Sequence, residues 1–294
     1  MLGNFKRKVI YLFTFLTSGL FASPQRPDYL IYQGDTVATY NLLLELYLQS
    51  KDTVESEKLF GLSFRDGASF SCWRGYQAIY SLLNDSLFLV DITRCGELQE
   101  GMIDKANSLQ RIRSIFGNRV NNNMVYIDWF DGCINFPLTD VVLRWDGVFN
   151  RIYEREKVIT IFNGLVVNTK DVDNYIDDPK RINRRNKYKV ADLLFKKLRK
   201  VNFRNSNEFN CSDEYLVAID QFGNVTKVRS YYFDGNFEDD PELADVKYCT
   251  DKIFNAFRDM KFDVILDKGE AISEEIYISI RMRDNGKLEN QTTY

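Results

Sequence analysis

Polar dipeptides able to turn a chain back on itself recur through the first half of this sequence. Gln33-Gly34, Asn84-Asp85, Asp131-Gly132 and Asn163-Gly164 each separate two apolar runs. A two-residue hairpin needs positive φ at its central residues, which Gly, Asn and Asp tolerate best. The flanking runs are therefore expected as strands: residues 29–32 with 36–40, 68–83 with 86–92, 125–130 with 134–136, and 158–162 with 165–168. Residues 42–48 read equally well as a helix or a buried strand. One helix is expected from Met102 to Phe116, carrying Ile103, Leu109, Ile112 and Ile115 and stopping at Gly117. Residues 24–176 thus predict a strand-rich N-terminal domain.

The start of the chain predicts export. Lys6, Arg7 and Lys8 precede a short apolar stretch from Val9 to Ala22, and small residues (Gly19, Ala22, Ser23) stand before Pro24. A membrane span needs about 20 predominantly apolar residues, and this stretch is shorter and diluted by Thr14, Thr17, Ser18 and Gly19. Residues 1–23 are therefore expected as a signal peptide, although Leu20 or Phe21 falls where a small residue is preferred for cleavage. No later stretch is long and apolar enough to span a bilayer, so no integral span is expected in the mature protein. In an oxidising compartment the five cysteines (Cys72, Cys95, Cys133, Cys211, Cys249) allow two bridges and a free thiol, with the pairing open.

Composition narrows the chemistry further. The chain has no histidine, which removes Ser-His-Asp and Cys-His catalysis and imidazole-ligated metal sites. No C-x-x-C, phosphate-cradling glycine loop or dinucleotide fingerprint occurs, so neither a catalytic residue, a metal nor a cofactor is indicated. A net charge of −3 does not describe a nucleic-acid binder. Asp128-Trp129-Phe130-Asp131 and Trp145-Asp146 mix acids with aromatics as sugar sites do, and the alternative reading is a carboxylate-dependent hydrolase or binder of envelope glycans using Asp128 or Asp131. Core packing of Trp129 beside solvated turn acids is the plainer reading, and Trp73, read as part of a simple strand pair, is likewise expected to fill a core. Asp171, Asp173, Asp177 and Asp178 lack the glycine and glutamate spacing of a calcium loop.

Residues 177–205 change character. Asp177-Asp178-Pro179 reads as a helix start, and Val190, Leu194, Leu198 and Val201 form one apolar stripe on a basic helix expected over residues 189–204. This is the expected junction between two domains. The basic residues between Lys180 and Lys189 suggest contact with an anionic envelope component, or simply a solvated helix.

The remaining text, residues 206–294, predicts two strands (215–219 and 225–229), an acidic loop (234–242), a helix (244–260) and two more strands (261–265 and 272–282). The motifs FGNVTKVR, IFNAFRDMKF and DKGEAISEEIYISI in this ββαββ order resemble the C-terminal domain of TonB-type energy transducers across residues 215–282. With the strand-rich N-terminal domain and the basic helix, this order makes an α+β fold the expectation for the chain, and the resemblance implies a periplasmic or secreted protein of a Gram-negative envelope. It also implies a non-enzymatic role, binding a protein or peptide by strand addition. By position, Glu275, Ile276, Tyr277, Ile278, Ser279 and Ile280 match the edge that receives the partner strand. Cys211 before the first strand and Cys249 on the helix suggest a bridge within this unit. The chain departs from the family pattern at Lys261-Phe262-Asp263, where Trp-x-Pro is usual, and it has no proline-rich stalk. Coupling to an inner-membrane motor therefore does not carry over.

Overall fold

The computed structural model describes residues 24–51, 68–203, 209–233, 244–283 and 285–293. The expected signal peptide, the acidic loop and the last residue of the expected basic helix, Arg204, lie outside them. The architecture is α+β.

β1 (Asp28–Tyr32) and β2 (Asp35–Thr39) form the first hairpin, with φ of 53° and 94° at Gln33 and Gly34. After α1 (Leu43–Gln49), β3 (Tyr76–Leu83) runs parallel to β1 and turns at Asn84-Asp85 into β4 (Ser86–Arg94). α2 (Lys105–Phe116) follows; Asp104 caps it by accepting a bond from Asn107 N, and Gly117 closes it. β5 (Val125–Tyr126) joins β4, and β6 (Gly132–Pro137) joins β9 (Arg155–Phe162). A small separate hairpin, β7 (Val142–Trp145) and β8 (Arg151–Tyr153), stands between them in sequence. β10 (Leu165–Asp173) pairs with β9 through the Asn163-Gly164 turn.

These strands form one sheet in the order β2-β1-β3-β4-β10-β9-β6, with β5 on β4. The sheet curls until its ends approach, and the Asn41 amide bridges them. Its Nδ2 donates to Cys133 O (3.0 Å) and its Oδ1 accepts from Asn135 N (3.0 Å), as a strand residue's backbone would. α1 fills the interior with Leu43, Leu44, Tyr47 and Leu48, packed among Leu30, Leu89, Ile134 and Ile159.

Three local expectations fail here. Asp131-Gly132 joins no hairpin, because β5 pairs with β4 and β6 with β9, and Asp131 lacks the positive φ that either favoured hairpin turn needs at its first position. Asp131 instead accepts from Asn163 N (2.5 Å). The strand expected over residues 68–83 begins only at Tyr76, after turns tied down by the Cys72–Cys95 disulfide. Trp73, placed in the core by the sequence reading, is 44% exposed.

β11 (Tyr175–Ile176) leads toward α3 (Lys187–Leu198). The helix does not start at the Asp-Asp-Pro signal, because Asp177 and Asp178 are taken by Arg185 and Arg181. It starts where Asn186 Oδ1 accepts from Lys189 N (3.1 Å). β12 (Asp213–Ile219) and β13 (Val225–Ser230) form a hairpin, followed by α4 (Ala244–Phe257). The next strand, β14 (Val264–Asp267), leaves this sheet and pairs with β11 and β15 (Glu270–Ala271). β16 (Glu274–Met282) then returns beside β12, and β17 (Leu288–Asn290) lies on its other side. The sheet order is β13-β12-β16-β17. α3 packs on β16 and α4 on β13. Leu194, Leu198, Phe257 and Ile253 from the helices meet Val217, Ile276 and Ile278 from the strands. The Cys211–Cys249 disulfide ties the entry of β12 to α4.

Candidate functional site

Most of the polar residues singled out by sequence have private partners. Asp128 pairs with Arg119, and Asp131 holds the Asn163 turn, so the two acids do not converge on one point. Trp129 stacks on Phe116 at 5.3 Å and donates from its indole to Leu43 O. The four aspartates considered for calcium each face a cation: Asp171 with Lys157, Asp173 with Arg155, Asp177 with Arg185 and Asp178 with Arg181. No group of three or more Cys, Asp or Glu among the described residues is placed to hold a metal ion.

The basic run is not a continuous cationic surface. Lys180 and Lys189 are exposed, but the arginines turn onto the protein. Arg181 donates to Phe222 O (2.7 Å) and Phe262 O (3.2 Å). Arg185 bonds Glu154 and Asp177 and lies 3.8 Å from the Tyr175 ring centroid. Arg184 is fully buried, with no hydrogen bond to its guanidinium among the described residues. Its Nη1 lies 3.5 Å from Glu274 Oε1. Burial pushes this guanidinium below the usual arginine range, and Glu274 offsets part of that cost.

Around this cluster the fold builds a cleft of about 600 Å³. One wall is the β7–β8 hairpin and the other is the entry to α3; Glu274 at the start of β16 lies between. Val141 (45% exposed), Val142 (42%), Trp145 (44%) and Tyr188 (54%) offer apolar and aromatic surface to it. Leu143 and Ile152 supply its buried base, packed on Tyr175 and Ile265. Arg144 reaches through the base to grip Glu274 and also donates to Arg184 O (3.0 Å). The cleft is thus a charged floor under an apolar and aromatic rim.

Trp145 is held in place from behind. Arg151 stacks over its ring at 5.1 Å and over Tyr40 at 4.4 Å, and donates to the Tyr40 hydroxyl. The Asp146 carboxylate accepts from Val148 N (2.7 Å) and Asn150 N (3.1 Å), which fixes the loop between β7 and β8. A smaller cavity of about 140 Å³ lies against the same loop, lined by Tyr40, Asn135, Arg151 and Lys268. Trp145-Asp146 is visible in the sequence as an aromatic beside an acid, whereas Val141, Val142, Tyr188 and Glu274 come from three distant segments and carry no local signal of the cleft.

The expected partner-binding strand has two different sides. Ile276, Ile278 and Ile280 point into the core and Glu275, Tyr277 and Ser279 outward, as the alternation requires. Its backbone edge is not open throughout, because β12 occupies one side and the chain's own β17 part of the other. Among the described residues β17 pairs only with Ile280 to Met282, so the backbone groups of Tyr277 and Glu275, which face the same edge as those of Ser279, meet no strand. Arg229 pairs with Glu275, and Tyr231 meets the Tyr277 ring at 5.8 Å.

Two disulfides stabilise the described structure, and Cys133 is a free thiol. Among the described residues no helix is long and apolar enough to cross a membrane. In comparisons with known proteins, no family model, curated protein or solved structure matches the chain.

Proposed function

We propose that this protein is a non-enzymatic binding protein of an oxidising extracytoplasmic compartment, taking an extended segment of a protein or peptide partner. One observation carries the reading. The cleft between the β7–β8 hairpin and α3 runs up to Glu274, the first residue of the strand whose outer edge is open at Glu275 and Tyr277. Side chains of a partner would fill the apolar rim at Val142, Trp145 and Tyr188, and its backbone would continue onto β16 by strand addition. The two disulfides support the compartment, since such bridges persist where the surroundings are oxidising. A likeness to the TonB C-terminal domain agrees with strand addition and belongs to the same proposal.

Glycan binding is the second reading, favoured by the exposed Trp145 and Tyr188 rings beside the Asn150 and Asn186 amides in one cleft. Its hydrolytic form draws no support from Asp128 and Asp131, which have separate partners.

Crosslinking and pull-down of the tagged mature chain from envelope fractions tests the proposal. A protein captured by the wild type and lost with Trp145→Ala or Tyr188→Ala supports it; capture indifferent to both substitutions refutes it. Ile278→Pro is a poor control, because Ile278 is buried and belongs to the β12 ladder. Retention on immobilised envelope glycan, again lost with Trp145→Ala, would select the second reading.

A further inference from the structure

The C-terminal residues of this chain lie along the strand proposed to receive a partner. Ile280, Arg281 and Met282 pair with Asn290, Glu289 and Leu288. Beyond them, Gln291 N donates to Ser279 O (2.9 Å), and Ser279 N donates to Thr292 Oγ1 (3.0 Å). A side-chain hydroxyl therefore stands where a backbone carbonyl would have continued the ladder. Backbone groups of alternate residues face the same edge. The edge that holds the tail at Ser279 and Arg281 thus runs on past Tyr277 and Glu275, where no described strand meets it.

The tail is lightly held. None of residues 288–293 is buried, and Leu288 alone adds an apolar contact to the core beneath. An ion pair between Arg283 and Glu289 spans the turn in solvent, where such pairs contribute little.

We infer that residues 288–292 are the resident occupant of a strand-accepting edge, and that an extended partner segment displaces them by pairing antiparallel to β16 from Met282 toward Glu275. The inference rests on the peptide-binding reading and adds its regulation. The tail also states what the edge accepts: an apolar side chain at the place of Leu288, and small hydrogen-bonding side chains at the places of Asn290 and Thr292. A longer segment gains the unpaired Tyr277 and Glu275 positions that the tail leaves open, which is what lets it compete with a strand already in place.

The test uses a fluorescein-labelled peptide with the sequence of residues 286–293 as probe and fluorescence anisotropy as readout. A chain ending at Lys287 binds it saturably, and the full chain binds it at least about tenfold more weakly, the factor set by about 1.4 kcal/mol of competition. Ser279→Pro in the shortened chain abolishes binding, because it removes a donor on the outer edge and leaves the β12 ladder untouched. Leu288→Asp in the full chain loosens the tail without removing residues and raises binding above wild type; it carries the test if the shortened chain does not fold. Equal binding to the full and shortened chains overturns the inference, as does no binding to a shortened chain that melts like the wild type. An envelope partner lost with Trp145→Ala but indifferent to Ser279→Pro would leave the cleft reading standing and sink this one.

Discussion

Arg144 and Glu274, 130 residues apart in sequence, form a two-pronged ion pair with both bonds at 2.5 Å. Arg144 belongs to the β7–β8 hairpin and Glu274 opens β16, so this pair joins the cleft's wall to the sheet beneath it. Both side chains are nearly buried, at 12% and 9% exposed. Removing one partner leaves the other charge buried without compensation, which costs about 3–5 kcal/mol. Glu274→Ala should destabilise the protein by that order in urea titration, because Arg184 loses the same carboxylate. The double change Arg144→Met with Glu274→Leu should cost less than Glu274→Ala alone, since only Arg184 is then left uncompensated; a larger cost would show that Arg144 contributes through its bonds to the Arg184 and Arg185 carbonyls.

Gly164 and Gly34 test how much of a turn is local. Both have positive φ (75° and 94°), but a Cβ on Gly164 would lie 2.3 Å from Ile127 O, whereas nothing lies within 4 Å of one on Gly34. Gly34→Ala should therefore cost about 1–2 kcal/mol, the left-handed backbone penalty alone. Gly164→Ala adds an overlap with main chain and should cost about 2–5 kcal/mol in total. Thermal melts of the two variants read the difference directly, and equal losses would refute the close approach.

Alkylation without reductant should label a single residue, Cys133, and alkylation after reduction in denaturant should label all five. The bridges close stretches of 23 and 38 residues, for which the chain-entropy model gives about 3 and about 4 kcal/mol respectively. Paired Cys→Ala substitutions at 211 and 249 should lower the urea midpoint more than the pair at 72 and 95.

Glu156 sets a pH dependence. It is fully buried between Asn135 Nδ2 (2.9 Å) and Asn174 Nδ2 (2.6 Å). Burial raises its carboxyl above the ordinary value of 4.5, and the two amides offset only part of the shift. Between 4.5 and the raised value, the folded chain keeps a proton that the unfolded chain has released. Stability should fall as pH rises through that interval. Urea midpoints compared with those of Glu156→Gln isolate the effect, since the variant should lack this component of the slope.

The hairpins at Gln33-Gly34, Asn84-Asp85 and Asn163-Gly164 were legible because a two-residue turn is decided by the φ preferences of its own residues. The same reasoning failed at Asp131-Gly132, whose neighbours found partners elsewhere: β5 on β4 and β6 on β9. The α3 stripe of Val190, Leu194 and Leu198 was also readable, being periodic, yet its start was misplaced. The acids that looked like a helix start are engaged by Arg181 and Arg185 from the loop that follows. A charge run in sequence carries no sign of which members turn inward, and Arg184 does so completely.

The sequence by itself determined the strand-rich first half, the helices' apolar faces, the alternation of β16 and the exclusion of histidine chemistry. These follow from residue type and short-range spacing, which the unfolded chain already possesses. Only the tertiary structure decided the partners. It brought Val142, Trp145, Tyr188 and Glu274 to one cleft, paired β14 with β11, and laid β17 along the edge of β16. Such pairings are settled by competition among distant segments for the same backbone edges and buried surface, and no local window of residues contains that competition.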